Sequence, residues 1–395
     1  MLTGLLEEYP LRFIDMAEKD GWIWFSACNF NGLFRGSVAE KRVEYMGLFP
    51  AAGARDVLLH STAAIFKNIL FFGPRLSENI IAYDIKNGEF ECYKVPGLDN
   101  IAITYGAFAV QHGQFLIIWN SFNADVVRFD METRKFDTVQ QCRDVSSGGC
   151  ADSHKSVKGL WRSFCIVEDD IYIASIQTGA VLKVNVNKKE KRLYLLDEVK
   201  SVNAICFGRD HFWFTDDKNH LIEWYPDKEM IIYKIDDNIP IRKACLGQFL
   251  DGIIYYVLAG VEEDPVVAFH LDGRYFEYMY QESKERICCG KEGLSAGSAM
   301  LKVLKDKIWL FSNKYSLLQY IENKKIENCK LSLTDNVDQF IYDRISTYYT
   351  DYIYIKEDAL IDLEKHLHYI LKKQDVVSQE GSSHIHVGKQ IYHKI

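Results

Sequence analysis

The sequence contains no run of apolar residues close to the roughly 20 that a membrane-spanning helix requires. No two cysteines stand in the Cys-x-x-Cys spacing that is common in structural zinc sites. The first residues, MLTGLLEEYPLRF, lack the basic and then apolar pattern of a signal peptide. We therefore expect a cytoplasmic protein with no membrane span, whose ten cysteines are free thiols. The adjacent Cys288 and Cys289 are the one unusual pair, and their function is left open.

The sequence also lacks an excess of positive charge. It has 47 Lys and Arg residues and 55 Asp and Glu residues, so the net charge is −8. A protein that binds nucleic acid generally needs a basic face that displaces counterions from phosphates. We therefore expect no nucleic-acid partner. Apolar residues make up 48% of the chain and aromatic residues 13%. This composition excludes a disordered chain and favours β-strands.

An internal repeat organises the chain. Short apolar and aromatic runs recur seven times, each followed about ten residues later by a second apolar segment. The centres of these second segments are 47, 46, 55, 40, 45 and 51 residues apart, which is close to the spacing of β-propeller blades. The runs are WIWF (22–25), ILFF (69–72), FLII (115–118), IYIA (171–174), FWF (212–214), IIYY (253–256) and IWLF (308–311).

Each unit also contains a more polar segment after the second apolar segment, and a segment rich in small residues before the aromatic run. Ala63, Ala64, Ala204 and Cys206 are examples of these small residues. Four strands per unit is the number in a propeller blade, and the small residues fit the innermost strand, where blades crowd toward the axis. We therefore predict an all-β fold, a seven-bladed β-propeller of four-stranded blades. A series of separate antiparallel sandwiches is the alternative.

The C-terminal part departs from the repeat. Leu360, Leu363, Leu367 and Leu371 recur at helical spacing before a basic turn, so 358–373 is predicted to form an amphipathic helix. We divide the chain into a propeller at 1–356 and a C-terminal helix and tail at 357–395. The helix either packs on the propeller or docks a partner, and a dimer formed through it is one of the alternatives.

The segment RDHFWFTDDKNHLIEWYPDKEMIIYKI (209–235) resembles the repeat of virginiamycin B lyase, a streptogramin lyase, and of its propeller relatives such as the kelch-like families. The match is carried by Trp213, Phe214, Thr215, Asn219, Ile222 and Pro226. The resemblance implies the propeller fold and, for the lyase, magnesium-assisted chemistry by His and Glu at the channel mouth. The units here have no His-x-Glu arrangement on the equivalent loops, so no catalytic residue is carried over.

A ligand site is expected at one end of the central channel, where the chain enters each innermost strand. A ring that mixes cationic and neutral polar groups suits an anionic or hydroxylated ligand, because Arg and Lys donate charge-assisted hydrogen bonds. A water-filled channel lined by polar groups is the alternative. Alignment on the aromatic runs places the following residues at the entries: Arg12, His60, Tyr105, Arg162, Asn203, Lys243 and Ser298.

Two long loops, 141–160 and 281–297, are predicted to overhang the same end, and long loops on a rigid scaffold often carry function. Four aromatic residues between second and third strands are predicted to be exposed and are candidates for stacking on sugars or on a protein partner. They are Phe30, Trp119, Phe122 and Tyr315.

These features favour a binding propeller that holds a protein, peptide or glycan at the channel face, without a defined catalytic set, metal site or cofactor. The alternative is a lyase or hydrolase at the channel mouth that uses a divalent metal such as magnesium. A cluster of His, Asp and Glu side chains facing one point would distinguish the enzyme from the binding module.

Overall fold

The computed structural model describes residues 13–28, 31–53, 56, 58–98, 106–141, 159–226, 228–258, 266–279, 300–304, 307–312, 317–322, 325–329 and 332–333. By its internal contacts the chain divides into two units, 1–348 and 349–395, and every described residue belongs to the first. The predicted boundary at 356/357 and the predicted helix at 358–373 lie outside the described residues. Both stay predictions.

The described residues form seven sheets, each with four consecutive antiparallel strands in chain order, as the repeat predicts, and two of the sheets gain a short fifth strand. The fold is a seven-bladed β-propeller. In the first four blades the strands are β1 (Met16–Lys19), β2 (Trp22–Ser26), β3 (Leu33–Ser37) and β4 (Arg42–Gly47); β5 (His60–Phe66), β6 (Ile69–Pro74), β7 (Asn79–Asp84) and β8 (Glu89–Lys94); β9 (Ala107–His112), β10 (Phe115–Asn120), β11 (Val126–Asp130) and β12 (Lys135–Thr138); then, after a two-residue strand β13 (Gln140–Gln141), β14 (Trp161–Val167), β15 (Asp170–Ser175), β16 (Ala180–Asn185) and β17 (Glu190–Leu195).

The last three blades keep the same order, and one short 3-10 helix (Ile241–Lys243) leads into blade 6. Their strands are β18 (Asn203–Gly208), β19 (His211–Thr215), β20 (His220–Trp224) and β21 (Ile231–Lys234); β22 (Ala244–Leu250), β23 (Ile253–Leu258), β24 (Val266–His270) and β25 (Tyr275–Met279); β26 (Met300–Leu304), β27 (Lys307–Ser312), β28 (Leu317–Glu322) and β29 (Lys325–Cys329), followed by a two-residue strand β30 (Ser332–Leu333). Within the described part of the chain there is no helix with the length and apolar character that a membrane span requires.

The first strand of each blade lies innermost, because first strands of neighbouring blades contact one another, as β18 and β22 do. Small residues allow this close approach. At Gly247 of β22 an added Cβ would lie 2.4 Å from the carbonyl oxygen of Ala204 on β18. The small-residue pattern therefore predicted the inner strands correctly, for the steric reason expected of a ring axis.

The aromatic runs form the second strands and are buried between blades. One apolar cluster joins Phe71 of blade 2 to Leu116 and Phe129 of blade 3, and all three side chains are fully buried. Each large apolar side chain buried in this way contributes roughly 1.5–3 kcal/mol. A single blade would leave these faces in water, so the blades stabilise one another in sequence around the ring.

The first and last blades are joined by contacts that the repeat does not predict. Strand β30 follows blade 7 and pairs in parallel with β4, the outer strand of blade 1. Strand β13 makes the same kind of pairing with β17 after blade 3. Near the axis, the Lys302 Nζ of blade 7 donates to Asp15 Oδ1 and to the Met16 carbonyl, both at 2.8 Å. A parallel strand pair and an ion pair therefore connect blade 7 to blade 1.

Candidate functional site

One end of the channel is formed by the entries to the first strands and by the turns after the second strands. Antiparallel pairing brings these two kinds of segment to the same end of every blade. In the first four blades, backbone hydrogen bonds of 2.7–2.9 Å join this turn to the entry of the next blade: Leu58 N to Cys28 O, Ala107 N to Arg75 O, Trp161 N to Ser121 O and Val202 N to Ser175 O. The candidate site residues are positioned by this chain of contacts.

A buried asparagine performs the same task in blades 1 and 5. Asn219 Nδ2 donates to the carbonyls of Ile235, Asp236 and Ile239 at 3.1–3.2 Å, and its Oδ1 accepts from Arg242 N at 3.0 Å. Asn31 binds the Phe49 backbone through both of its amide atoms in the same manner. The asparagine of the lyase-like repeat is therefore a structural residue, because it holds the segment that enters the next blade.

Of the seven residues predicted to line the entries, Arg12, Tyr105 and Ser298 lie outside the described residues, as do 142–158 and 280–299, which hold most of the two long loops. His60, Arg162, Asn203 and Lys243 are described. Asn203 is half-buried, and its amide donates to Ser201 Oγ at 3.4 Å. Lys243 is exposed at the end of the 3-10 helix.

His60 lies in the core between blades 1 and 2, with only 5% of its surface exposed. Its Nδ1 is 2.9 Å from Ser26 Oγ, and its ring packs edge-on against Phe49 at 4.4 Å between centroids. Burial lowers the pKa of His60 from 6.5 to about 3, because the imidazolium would lose its hydration without gaining an anion. This side chain is a neutral packing group, and we leave it out of the ligand site proposed below.

Arg162 is positioned by a β-bulge. The pairing of β14 with β15 passes from Trp161 opposite Ser175 to Ser163 opposite Ala174, so Arg162 is the extra residue of the bulged strand. A bulge redirects the side chain of its extra residue away from the regular alternation of the sheet. The neighbours on either side keep structural roles, since Trp161 is fully buried and Ser163 Oγ accepts from Ile205 N at 2.7 Å.

Arg75, which the sequence analysis did not select, lies close enough to Arg162 to interact with it electrostatically. Arg75 follows β6 directly, on the turn of blade 2 whose carbonyl accepts from Ala107. Its guanidinium carbon is 3.9 Å from the centre of the Phe108 ring, on the first strand of blade 3. The signal that could have found it is a charged residue immediately after the Gly-Pro that ends an aromatic run.

The Arg75 guanidinium is held in an unusual environment. The residue is only 8% exposed, and its Nη1 has no hydrogen-bond acceptor among the described residues. Burial, followed by the positive charge of Arg162, lowers the pKa of Arg75 from 12.5 to about 10, which the nearby Cys28 partly offsets. Burial and the charge of Arg162 both destabilise the charged form of Arg75. An anion bound at Nη1 would stabilise that charged form. Two guanidinium groups within electrostatic range of each other are suited to bind a carboxylate or phosphate.

Trp119 is a packing residue beside Phe108 and is not a stacking platform for a ligand. It is fully buried, its ring stacks with Phe108 at 5.8 Å, and its Nε1 donates to Trp161 O at 2.9 Å. The prediction that Trp119 is an exposed aromatic is therefore wrong, because the ring fills the space between blades 3 and 4. Phe122 is half-buried, and Phe30 and Tyr315 lie outside the described residues.

A histidine and a buried aspartate form a second polar group on the turn after β19. Asp216 is 2% exposed, and its Oδ2 lies 2.9 Å from His220 Nδ1. Its other oxygen accepts from the backbone N–H groups of Lys218 and His220, both at 2.9 Å. The carboxylate thus orients the imidazole and closes the turn. The described residues contain no group of three or more His, Cys, Asp and Glu side chains arranged to hold a metal ion.

No family model matches the sequence, and none of the curated proteins does. Among solved structures, the chain is similar to YCF48 bound to D1 peptide, with 9% identity, a TM-score of 0.53, and coverage of 80% of this chain and 95% of that one. BamB from Moraxella catarrhalis has 10% identity and a TM-score of 0.45 over 78% and 94% of the two chains.

The extracellular domain of the hybrid two-component system BT3049 from B. thetaiotaomicron has 15% identity and a TM-score of 0.49. That match covers 80% of this chain, which spans only 40% of the length of that protein. At these identities the similarity to YCF48 shows the propeller fold alone.

Proposed function

We propose that this protein is a binding propeller whose channel face holds a ligand, such as a peptide, protein or glycan, through a carboxylate or phosphate group of that ligand. Arg75 and Arg162 are the residues assigned to this contact. The observation that carries the proposal is the buried Arg75 Nη1, which lacks an acceptor among the described residues. A buried cation that remains unpaired is costly, and a ligand anion would remove that cost.

The surroundings of Arg75 support a binding role over a purely structural one. Arg128, the other buried arginine among the described residues, has its charge paired with Asp137 at 2.5 Å and donates to the Val186 carbonyl at 2.8 Å, although its Nε also lacks an acceptor. Arg75 instead has an aromatic ring on one side and a second guanidinium nearby. In YCF48 a propeller was solved with a peptide bound, which is a property of that protein. For this chain, the peptide is one of the ligand classes whose carboxylates fit the two arginines.

The test is thermal unfolding of the whole protein in inorganic phosphate against chloride at constant ionic strength. We expect phosphate to raise the Tm of the wild type, because a ligand that binds only the folded state stabilises it by about 2.7 kcal/mol at one hundred times its Kd. Arg75→Met should abolish this phosphate effect and should leave the Tm in chloride unchanged or higher, because a buried charge is removed.

Arg35→Met is the matched control. Arg35 also lies over an aromatic ring, that of Trp22 at 4.3 Å, but it is paired with Glu44 at 2.6 Å. This variant should lose stability in both salts and keep the full phosphate effect. Equal stabilisation of Arg75→Met and wild type by phosphate would rule out the proposed site.

A further inference from the structure

Exposed apolar side chains are concentrated at the outer edge of blades 4 and 5. Leu195 is 53% exposed at the end of β17, and Ile231 and Ile232 are 50% and 37% exposed on β21, with Tyr225 nearby. Successive residues of a strand point to opposite faces, so the exposure of both Ile231 and Ile232 means that neither face of this strand end is fully covered. Such an apolar edge is unusual, since edge strands are normally protected by charge.

The backbone of this edge is also available for pairing. Strand β21 pairs only with β20 among the described strands, so alternate N–H and C=O groups of β21 face outward. Two other outer strands of this propeller already accept an added strand in parallel, β17 from β13 and β4 from β30. The outer edge of a blade in this protein is therefore a geometry that accepts strand addition. The edge of blade 2 differs, because β8 carries the charged residues Glu89, Glu91 and Lys94.

A groove of about 610 Å³ adjoins the start of this edge. It is lined by apolar side chains, including Leu195, Trp224 and Met230, and by three carboxylates, those of Asp197, Glu198 and Glu229. All three carboxylates are exposed, and none of them pairs with a cation among the described residues. The lysine of the groove, Lys228, lies over the ring of Tyr225 at 4.1 Å.

We infer that this edge is a docking site for an extended protein segment that carries both apolar and basic side chains. The segment adds to β21 through backbone hydrogen bonds, as in other β-augmentation interfaces. One of its apolar side chains enters the groove beside Leu195 and Met230, and its basic side chains face Asp197, Glu198 and Glu229. A second copy of this chain fits less well, because two acidic grooves would then be brought together in a protein of net charge −8.

The probe is a fluorescein-labelled seven-residue peptide of alternating lysine and valine, followed by fluorescence anisotropy with the full chain. The control is a peptide of the same length in which glutamate replaces lysine, so that the sign of its charge is reversed. We expect the lysine peptide to bind and the glutamate peptide to bind at least about tenfold more weakly. Hydrogen exchange of the peptide segment 228–235 should slow when the lysine peptide is present, because β21 amides become paired.

Two exposed positions report on the groove without disturbing the core. Glu198→Lys should weaken binding of the lysine peptide about fivefold, and Leu195→Ser about tenfold. Glu89→Lys on β8 makes the same charge change on another blade and should leave binding unchanged. Arg75→Met, which tests the channel face, should also leave it unchanged, so this inference and the proposed function can fail separately.

Equal binding of the two peptides, or unchanged exchange at β21, would overturn the inference. Sedimentation of the free protein tests the competing occupant. A dimer that dissociates on Leu195→Ser, with β21 amides already protected in the absence of peptide, would show that a second copy covers this edge and would also overturn the assignment.

Discussion

The burial of His60 predicts a specific loss of stability in mild acid. The folded pKa of His60 is about 3 against an unfolded value of 6.5. Below pH 6.5 the unfolded chain therefore binds a proton at this imidazole while the folded protein does not. Because the unfolded state binds more protons, the free energy of unfolding falls as the pH falls from about 6.5 toward 3.

The size of the effect follows from the two pKa values. Between pH 7 and pH 5 this one histidine should remove about 2 kcal/mol from the free energy of unfolding, and more below pH 5. The contacts of His60 explain why the folded protein resists the proton. Nδ1 lies against Ser26 Oγ, Nε2 has no partner among the described residues, and the ring is enclosed by Phe49 and Phe72.

The assay is urea unfolding of the wild type and of His60→Gln at pH 7 and pH 5, followed by tryptophan fluorescence. Glutamine keeps a polar group within reach of Ser26 but does not titrate in this range. We expect the wild type to lose about 2 kcal/mol more than the variant between the two pH values. His60→Phe, a second neutral variant, should show the same reduced pH dependence, whatever its absolute stability.

If the wild type and both neutral variants lose the same free energy between pH 7 and pH 5, then His60 titrates normally in the folded protein. That result would refute its placement in the core between blades 1 and 2.

Three further predictions concern the contacts that hold the blades together. Asn219→Ala should lower the free energy of unfolding by about 2–3 kcal/mol in urea, since buried backbone groups lose their partner; an unchanged midpoint would contradict the role given to this amide. Lys302→Met should lower the free energy of unfolding by about 1–2 kcal/mol, because Asp15 loses its cation. Adding Asp15→Asn to this variant should restore part of that loss. Gly247→Ala should cost more than about 2 kcal/mol by forcing inner strands apart, and a thermal scan that matches the wild type would contradict the close approach to Ala204.

The predicted entry residues show how a one-residue shift in alignment changes the role assigned to a residue. Alignment on the aromatic runs places His60 and Arg162 at equivalent positions. In the structure the first strands of blades 2 and 4 have their bulge at the same position, and its extra residue is Ser61 in blade 2 and Arg162 in blade 4. His60 is therefore the equivalent of Trp161, which is also buried. The aromatic runs identify each blade but not its exact register, because β6 begins with its run and β15 begins one residue before its run.

Arg75 and Trp119 are two further residues whose environments the sequence pattern did not predict. The sequence marks Arg75 only as a polar residue in a turn, and Trp119 as an aromatic residue near a loop. Trp119 is paired with Phe108 within blade 3, and its burial is completed by Trp161 and Phe164 of blade 4. The Arg75 guanidinium of blade 2 lies over the Phe108 ring. Neither environment can be read from local pattern, because each includes residues from a different repeat.

The number of blades, the order of strands within each blade and the identity of the inner strands could all be predicted from the amino-acid sequence. These features follow from local periodicity and from the size of side chains, and both recur in every repeat. The contacts between blades were needed to establish how blade 7 meets blade 1, which entry residues are buried, and that Arg75 and Arg162 lie within electrostatic range of each other. Those outcomes depend on contacts between repeats, where the free energy of burial and the pairing of charges are settled by neighbours distant in the chain.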